Sequence, residues 1–137
     1  MASRITELVV DSRDPGALAR WWAQVLGWEV LGPEDDGAVE IGPPGQGPKG
    51  PVPTLLFAPV PDPTPGKRRL HLDVNPTDRD QDAELDRLLE LGARRVDVGQ
   101  GPLRDAMTWH VLADPEGNEF CLLASTVAPL TGGGPRR

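Results

Sequence analysis

The residue types best suited to binding a small molecule cluster in one short segment, Arg69-Leu70-His71-Leu72-Asp73-Val74. Polar and apolar residues alternate along this segment, which predicts a half-buried strand with Arg69, His71 and Asp73 on one face. A guanidinium, an imidazole and a carboxylate on one face can line a polar pocket for a small ligand. They can also pair with one another as an internal ion-pair network, and the sequence leaves both interpretations open.

Glu7 is an acidic residue inside an apolar, β-branched segment, residues 5–11, whose composition predicts a strand. Burying an unpaired carboxylate costs free energy, so an acid at this position needs a structural reason. Glu7 is therefore either a pocket residue or an acid on an edge strand whose carboxylate faces solvent.

Two further candidates, Trp109 and Cys121, lie in strands predicted at residues 107–113 and 119–124. Trp109 could stack on a flat ligand or pack in the core, and its neighbour His110 points to the opposite face of the strand. The thiolate of Cys121 could bind zinc, or the residue could be a small core side chain. As the single cysteine, it excludes an intramolecular disulfide and a cysteine-rich zinc module.

The first half of the chain supplies one helix and four strands to hold these side chains. Asp14 can cap the helix, Pro15 suits its first position and Gly27 ends it, which predicts a helix at about residues 15–26. The strands are predicted at residues 5–11, 28–31, 38–41 and 54–58.

The second half repeats this series. A stripe of leucines that ends at Gly92 predicts its helix, and its strands are predicted at residues 69–74, 93–98, 107–113 and 119–124. Both halves therefore have the order strand, helix, strand, strand, strand, which is a βαβββ repeat.

We expect a single domain over residues 1–137, made of module one at about 5–58, a proline-rich spacer at 59–66 and module two at about 67–124. The tail at 129–137 is rich in Gly, Pro and Arg and is predicted to be disordered.

Overall charge excludes some classes of partner. The formal net charge is −7 at pH 7, so the chain is unsuited to nucleic acid or to an anionic membrane surface. No apolar run approaches the roughly 18 residues of a membrane span, and the N-terminal residues lack the apolar core of a signal peptide. We therefore expect a cytoplasmic protein.

Three stretches resemble the vicinal oxygen chelate superfamily, which contains glyoxalase I, extradiol dioxygenases, fosfomycin-resistance enzymes and bleomycin-binding proteins. They are residues 7–28, residues 67–74 and the turn-strand passage Asp114-Pro115-Glu116-Gly117-Asn118-Glu119-Phe120-Cys121. As a set they resemble the small glyoxalase-like branch. The resemblance implies an α+β fold, with two βαβββ modules forming a cup-shaped mixed sheet, as in the glyoxalase/bleomycin resistance fold. It also implies a homodimer.

The resemblance further implies where a metal site would lie. Metal-dependent relatives take ligands from the first and last strands of each module, and three of these positions fall on Glu7, Arg69 and Cys121. Arginine cannot ligate a metal, and residues 54–58 contain no Glu, Gln, His or Asp. The usual four-ligand set is therefore incomplete, and Glu7 and His71 are the candidate ligands for a divalent Zn, Ni, Mn or Fe ion.

Three functions follow from this resemblance and these residues. The first is binding of a small organic molecule in the cup, by Glu7, Arg69, His71, Asp73, Trp109 and Cys121, without the usual metal cofactor. The alternative is a divalent-metal-dependent lyase, isomerase or dioxygenase with an atypical site. The third is a dimeric module that acts through protein contacts.

Overall fold

The computed structural model describes residues 2–63, 70–96 and 108–130. These residues divide into two compact units that separate at about residue 64, within the predicted spacer. The first unit contains the elements predicted for module one, and the second contains those predicted for module two. None of the helices in the described part of the chain is long and apolar enough to cross a membrane.

The first unit is a four-stranded mixed sheet with one helix. Its elements are β1 (Glu7–Ser12), α1 (Pro15–Leu26), β2 (Glu29–Pro33), β3 (Val39–Gly42) and β4 (Thr54–Pro59). The strand order is β1-β4-β3-β2, so the first strand of the unit lies at the edge and pairs with the last. That pair is parallel, and the other two pairs are antiparallel.

The second unit has the same arrangement. Its elements are β5 (Leu72–Val74), α2 (Gln81–Leu91), β6 (Arg94–Arg95), β7 (His110–Ala113) and β8 (Glu119–Leu122). The strand order is β5-β8-β7-β6, again with a parallel pair between the first and last strands. The predicted α+β fold of two βαβββ modules with mixed sheets is therefore confirmed. The described strands of the second unit are shorter than predicted, whereas β2 and β4 of the first unit are each one residue longer. Residues 97–107 and 131–137 lie outside the described part of the chain.

Capping residues set the ends of both helices, and Asp14, Gly27 and Gly92 act as predicted. Asp14 caps α1 by accepting a hydrogen bond from the backbone N–H of Ala17 at 3.2 Å, and Gly27 adopts the left-handed conformation, with φ 68°, that ends it. Asp80 caps α2 in the same way through the N–H of Ala83 at 2.9 Å, and Gly92 ends it.

One face of each sheet packs in the hydrophobic core. In the first unit the buried side chains of Ile41, Leu55 and Phe57 lie on the face that α1 contacts. In the second unit the buried residues Leu112, Phe120 and Leu122 alternate with residues that lie on the opposite face. The opposite faces carry Glu7 in the first unit and Asp73 and Cys121 in the second.

Candidate functional site

Three of the predicted site residues converge on the second sheet. The parallel register of β5 and β8 places Asp73 opposite Cys121, and His71 lies two residues before Asp73, on the same face of the strand. One ligand-type atom from each of His71, Asp73 and Cys121 lies within 4.8 Å of the other two. Among the described residues, this is a group with the side-chain chemistry to hold a metal ion.

The group is accessible. His71 Nε2 lies 3.1 Å from Asp73 Oδ1, and their side chains are 54% and 49% exposed; Cys121 is half-buried. A side-chain contact this exposed contributes little to stability, about 0–1 kcal/mol even where both groups are charged. The two side chains can therefore be drawn to a ligand at little cost in folding free energy.

Trp109 lies next to this region of the second unit. It immediately precedes β7, whose Val111 pairs with Cys121. It is 37% exposed, which makes it the most exposed of the four tryptophans. Trp21 and Trp22, by contrast, are buried and in edge-to-face contact, with ring centroids 5.1 Å apart. This exposure argues against the core interpretation of Trp109, and its role in contacting a ligand stays a prediction.

Of the two other candidates, the structure describes one, Glu7, in the first unit. Glu7 begins β1 at the edge of the first sheet, where it is half-buried and pairs with Thr54. Arg69 lies outside the described residues. The roles of Glu7 as a metal ligand and of Arg69 as a pocket residue stay predictions.

Sequence reasoning missed Glu40. This residue lies on β3 and is 9% exposed, and its carboxylate Oε2 accepts a hydrogen bond of 2.6 Å from the fully buried Thr54 hydroxyl. The registers place Glu40, Thr54 and Glu7 on one face of the first sheet. The signal that singled out Glu7, an acid inside an apolar strand, was also present in residues 38–41.

His110 does not belong to the converging group. It pairs with Leu122, whereas Cys121 pairs with Val111, so His110 lies on the opposite face of the second sheet, as predicted. Burial and the nearby Arg95 lower its pKa, while Asp82 acts in the opposite direction. The neutral imidazole is therefore the form that the folded state favours.

This lowered pKa predicts a pH-dependent stability. In the unfolded chain the His110 imidazole takes up a proton with the ordinary histidine pKa of about 6.5. In the folded chain its pKa is lower, so protonation favours unfolding. The contribution to the free energy of unfolding is present above that pH and is lost as the pH falls through the lowered pKa. Urea unfolding at pH about 7.5 and about 5 should show a larger loss for wild type than for His110→Asn. Equal losses would contradict the assignment.

The repeated βαβββ fold and the polar face of its sheet define a protein of the vicinal oxygen chelate superfamily. The chain belongs to the family described as glyoxalase-like domain, whose family model matches residues 7–123. No curated protein was found to match the sequence.

Solved structures share the fold at low sequence identity. A fosfomycin resistance protein, FosX, from Listeria monocytogenes, in complex with Mn(II) and 1S,2S-dihydroxypropylphosphonic acid, is 12% identical, with a TM-score of 0.67 over 93% of this chain and 94% of that one. A glyoxalase/bleomycin resistance protein/dioxygenase family enzyme from Burkholderia phytofirmans is 16% identical, with a TM-score of 0.64 over 88% and 97%. FosX from Mesorhizobium loti is 14% identical, with a TM-score of 0.62 over 93% and 95%.

Proposed function

We propose that this glyoxalase-like protein binds a small organic molecule on the face of the second sheet that carries His71, Asp73 and Cys121, without the usual four-ligand metal set. The observation that carries the proposal is the convergence of three chemically different side chains within 4.8 Å at an accessible place. The side chains of His71 and Asp73 are 54% and 49% exposed, and a pair this exposed adds little to stability, so a purely structural role explains their placement poorly.

The chemistry of this group indicates the kind of ligand. The Asp73 carboxylate accepts hydrogen bonds, and the His71 imidazole donates or accepts them according to its protonation. Trp109 offers an exposed aromatic face close in the sequence to β7, and aromatic faces attract flat and cationic groups. With a net charge of −7, the chain should attract cationic ligands rather than anions.

The relatives support a small ligand in this fold. The FosX structure from Listeria monocytogenes is described as a complex with Mn(II) and a dihydroxypropylphosphonic acid. For this chain we propose the same broad role, binding of a small molecule, in a cytoplasmic homodimer, as the superfamily resemblance implies.

The alternative function is a divalent-metal-dependent lyase, isomerase or dioxygenase with an atypical site. One observation favours it specifically: the converging side chains include an imidazole, a carboxylate and a thiol, all of which ligate metals. The ligand positions implied by the superfamily, Glu7, Arg69 and Cys121, share only Cys121 with this group.

Tryptophan fluorescence provides the test of small-molecule binding. A library of small aromatic and cationic compounds is titrated in the presence of a chelator against wild type, Trp109→Phe and the matched control Trp28→Phe. We expect some compounds to change the tryptophan emission of wild type and of Trp28→Phe when they bind. The same compounds should leave the emission of Trp109→Phe unchanged. Asp73→Asn should weaken binding about tenfold, since a hydrogen bond to a charged group contributes about 1.5–3 kcal/mol.

Two results would contradict the proposal. One is a library without hits under these conditions. The other is hits whose affinity Asp73→Asn leaves unchanged and whose signal comes from Trp28 in the first unit.

A further inference from the structure

We propose that Cys121 is a nucleophile that adds covalently to a flat α,β-unsaturated carbonyl compound. In this reaction His71 accepts the thiol proton, and Asp73 is the positioning residue that stabilises the imidazolium. The inference rests on the proposed function, because the compound must first bind on the face of the second sheet that carries these side chains. It names the class of ligand and the step that follows binding.

Strand register places the thiol beside the other two groups. Cys121 pairs with Asp73 in the parallel ladder of β5 and β8, and His71 lies two residues before Asp73 on the same face. One imidazole nitrogen, one carboxylate oxygen and the Cys121 Sγ all lie within 4.8 Å of one another. Side-chain movement of about 1 Å, or one bridging water, brings the imidazole within hydrogen-bond reach of the thiol.

The contact between His71 and Asp73 suits the state that follows proton transfer. His71 Nε2 lies 3.1 Å from Asp73 Oδ1, and the two groups form an ion pair only when the imidazole is protonated. Transfer of the thiol proton to His71 creates that state, so the carboxylate stabilises the product of the transfer. A nucleophile, a proton acceptor beside it and a third group that orients the acceptor together form the arrangement of an activated nucleophile.

The thiol lies on a face that a small molecule can reach. Cys121 is half-buried, and its neighbours Phe120 and Leu122 are buried in the core, so its side chain projects from the opposite face of β8. The side chains of His71 and Asp73 beside it are about half exposed. Reactive cysteines occupy partly exposed places of this kind, whereas cysteines enclosed in a core are inert.

The sheet around Cys121 favours conjugate addition over acyl transfer. Acyl transfer develops charge on the oxygen of the attacked carbonyl group and needs donors there, commonly backbone N–H groups. Cys121 lies on a strand that pairs with β5 on one side and β7 on the other, so the backbone N–H groups beside it are committed to the ladders. In conjugate addition the charge moves along the conjugated system, and the proton held by His71 neutralises it. The net charge of −7 disfavours an anionic compound.

The reaction is balanced without a further reagent. The S–H bond of Cys121 breaks and the proton passes to His71. The sulfur electron pair forms a bond to the β-carbon of the compound, and the π electrons of its C=C bond move towards the carbonyl oxygen. The proton then passes from His71 to the α-carbon. The product is a thioether, formed with no leaving group, oxidant or reductant.

Mass spectrometry of the full chain, in the presence of a chelator, tests this reaction. Benzylideneacetone is the unsaturated probe, and its saturated analogue benzylacetone reports binding alone. We expect one benzylideneacetone adduct per chain, located at Cys121 by peptide mapping, at a rate that saturates with probe concentration and that benzylacetone inhibits. The rate should exceed that of N-acetylcysteine about 100-fold, since positioned proton transfer contributes about 10²–10⁴-fold.

Variants assign the roles of the side chains. His71→Ala, at an exposed residue, should lower the maximal rate of adduct formation about 100-fold, with a smaller effect on the half-saturating concentration. Imidazole added to the buffer should restore part of that rate. Asp73→Asn in the His71→Ala background should diminish this rescue, because the carboxylate no longer stabilises the imidazolium. His110→Asn removes the histidine on the opposite face and should react like wild type.

The two probes separate failure of this inference from failure of the proposed function. Binding of benzylacetone without an adduct from benzylideneacetone would overturn the inference and leave the proposed function in place. Labelling of Cys121 no faster than that of N-acetylcysteine, or a wild-type rate in His71→Ala, would overturn it too. If benzylacetone does not bind and labelling does not saturate, the proposed function fails for this class of compound, and the inference fails with it.

Discussion

Replacing Asp114 by alanine is expected to lower the free energy of unfolding by about 3–5 kcal/mol. Asp114 is fully buried at the turn between β7 and β8. Its Oδ1 accepts hydrogen bonds of 2.9 Å from the backbone N–H groups of Glu116 and Asn118, and its Oδ2 accepts one of 2.9 Å from the Asn118 side-chain amide. Alanine would leave these donors without their acceptor, at about 1–3 kcal/mol for each one left buried.

Urea unfolding followed by circular dichroism measures this loss. Asp114→Asn keeps one acceptor oxygen and should lose less, while Asp35→Ala, in an exposed turn of the first unit, should stay within about 0.5 kcal/mol of wild type. The same turn sets the start of β8, the strand that carries Cys121. Asp114→Ala should therefore also lose any ligand binding at Cys121. A variant as stable as wild type would show that the turn holds without its carboxylate.

Replacing Thr54 by valine is expected to cost about 2–3 kcal/mol, a large effect for the loss of one hydroxyl. Thr54 is fully buried, and its Oγ1 donates a hydrogen bond of 2.6 Å to the buried Glu40 carboxylate. Valine has a similar shape but no donor, so the largely buried Glu40 side chain loses its hydrogen bond from Thr54. Thr54→Ser keeps the hydroxyl and should lose less.

A double-mutant cycle isolates this hydrogen bond. In a Glu40→Leu background there is no carboxylate for Thr54 to bind, so Thr54→Val should cost less than about 1 kcal/mol. The coupling free energy comes from the four urea midpoints and slopes of wild type, the two single variants and the double variant. If Thr54→Val costs the same in both backgrounds, the pair does not stabilise the first sheet.

Local signals explain how much of the fold the sequence predicts. Asp14 and Gly27 are short-range determinants of α1, because capping depends on residues within one turn of the helix end. The repeat of that pattern, with Gly92 ending α2, identifies the two βαβββ modules. The ends of the short strands are less predictable, because ladder hydrogen bonds with a distant partner determine where pairing stops.

The same difference between local and long-range determinants applies to the candidate site. The alternation of residues 69–74 is local, and it correctly predicts that His71 and Asp73 share a face. The approach of Cys121 depends on the parallel pairing of β5 with β8, which no local pattern encodes. Glu40 carries the same local signal as Glu7, an acid inside an apolar strand, but its burial and its Thr54 partner depend on the pairing of β3 with β4.

The parallel pair between the first and last strands has a consequence for how the second unit folds. Asp73 and Cys121 are direct partners yet lie about 50 residues apart along the chain, so their meeting closes a loop that spans most of the unit. Local hairpins such as β7–β8 can form before that loop closes, and the ladder of β5 with β8 can form only when it does. Cys121 therefore meets His71 and Asp73 only when that loop closes, and a chain that has not completed this closure cannot bring the three side chains together.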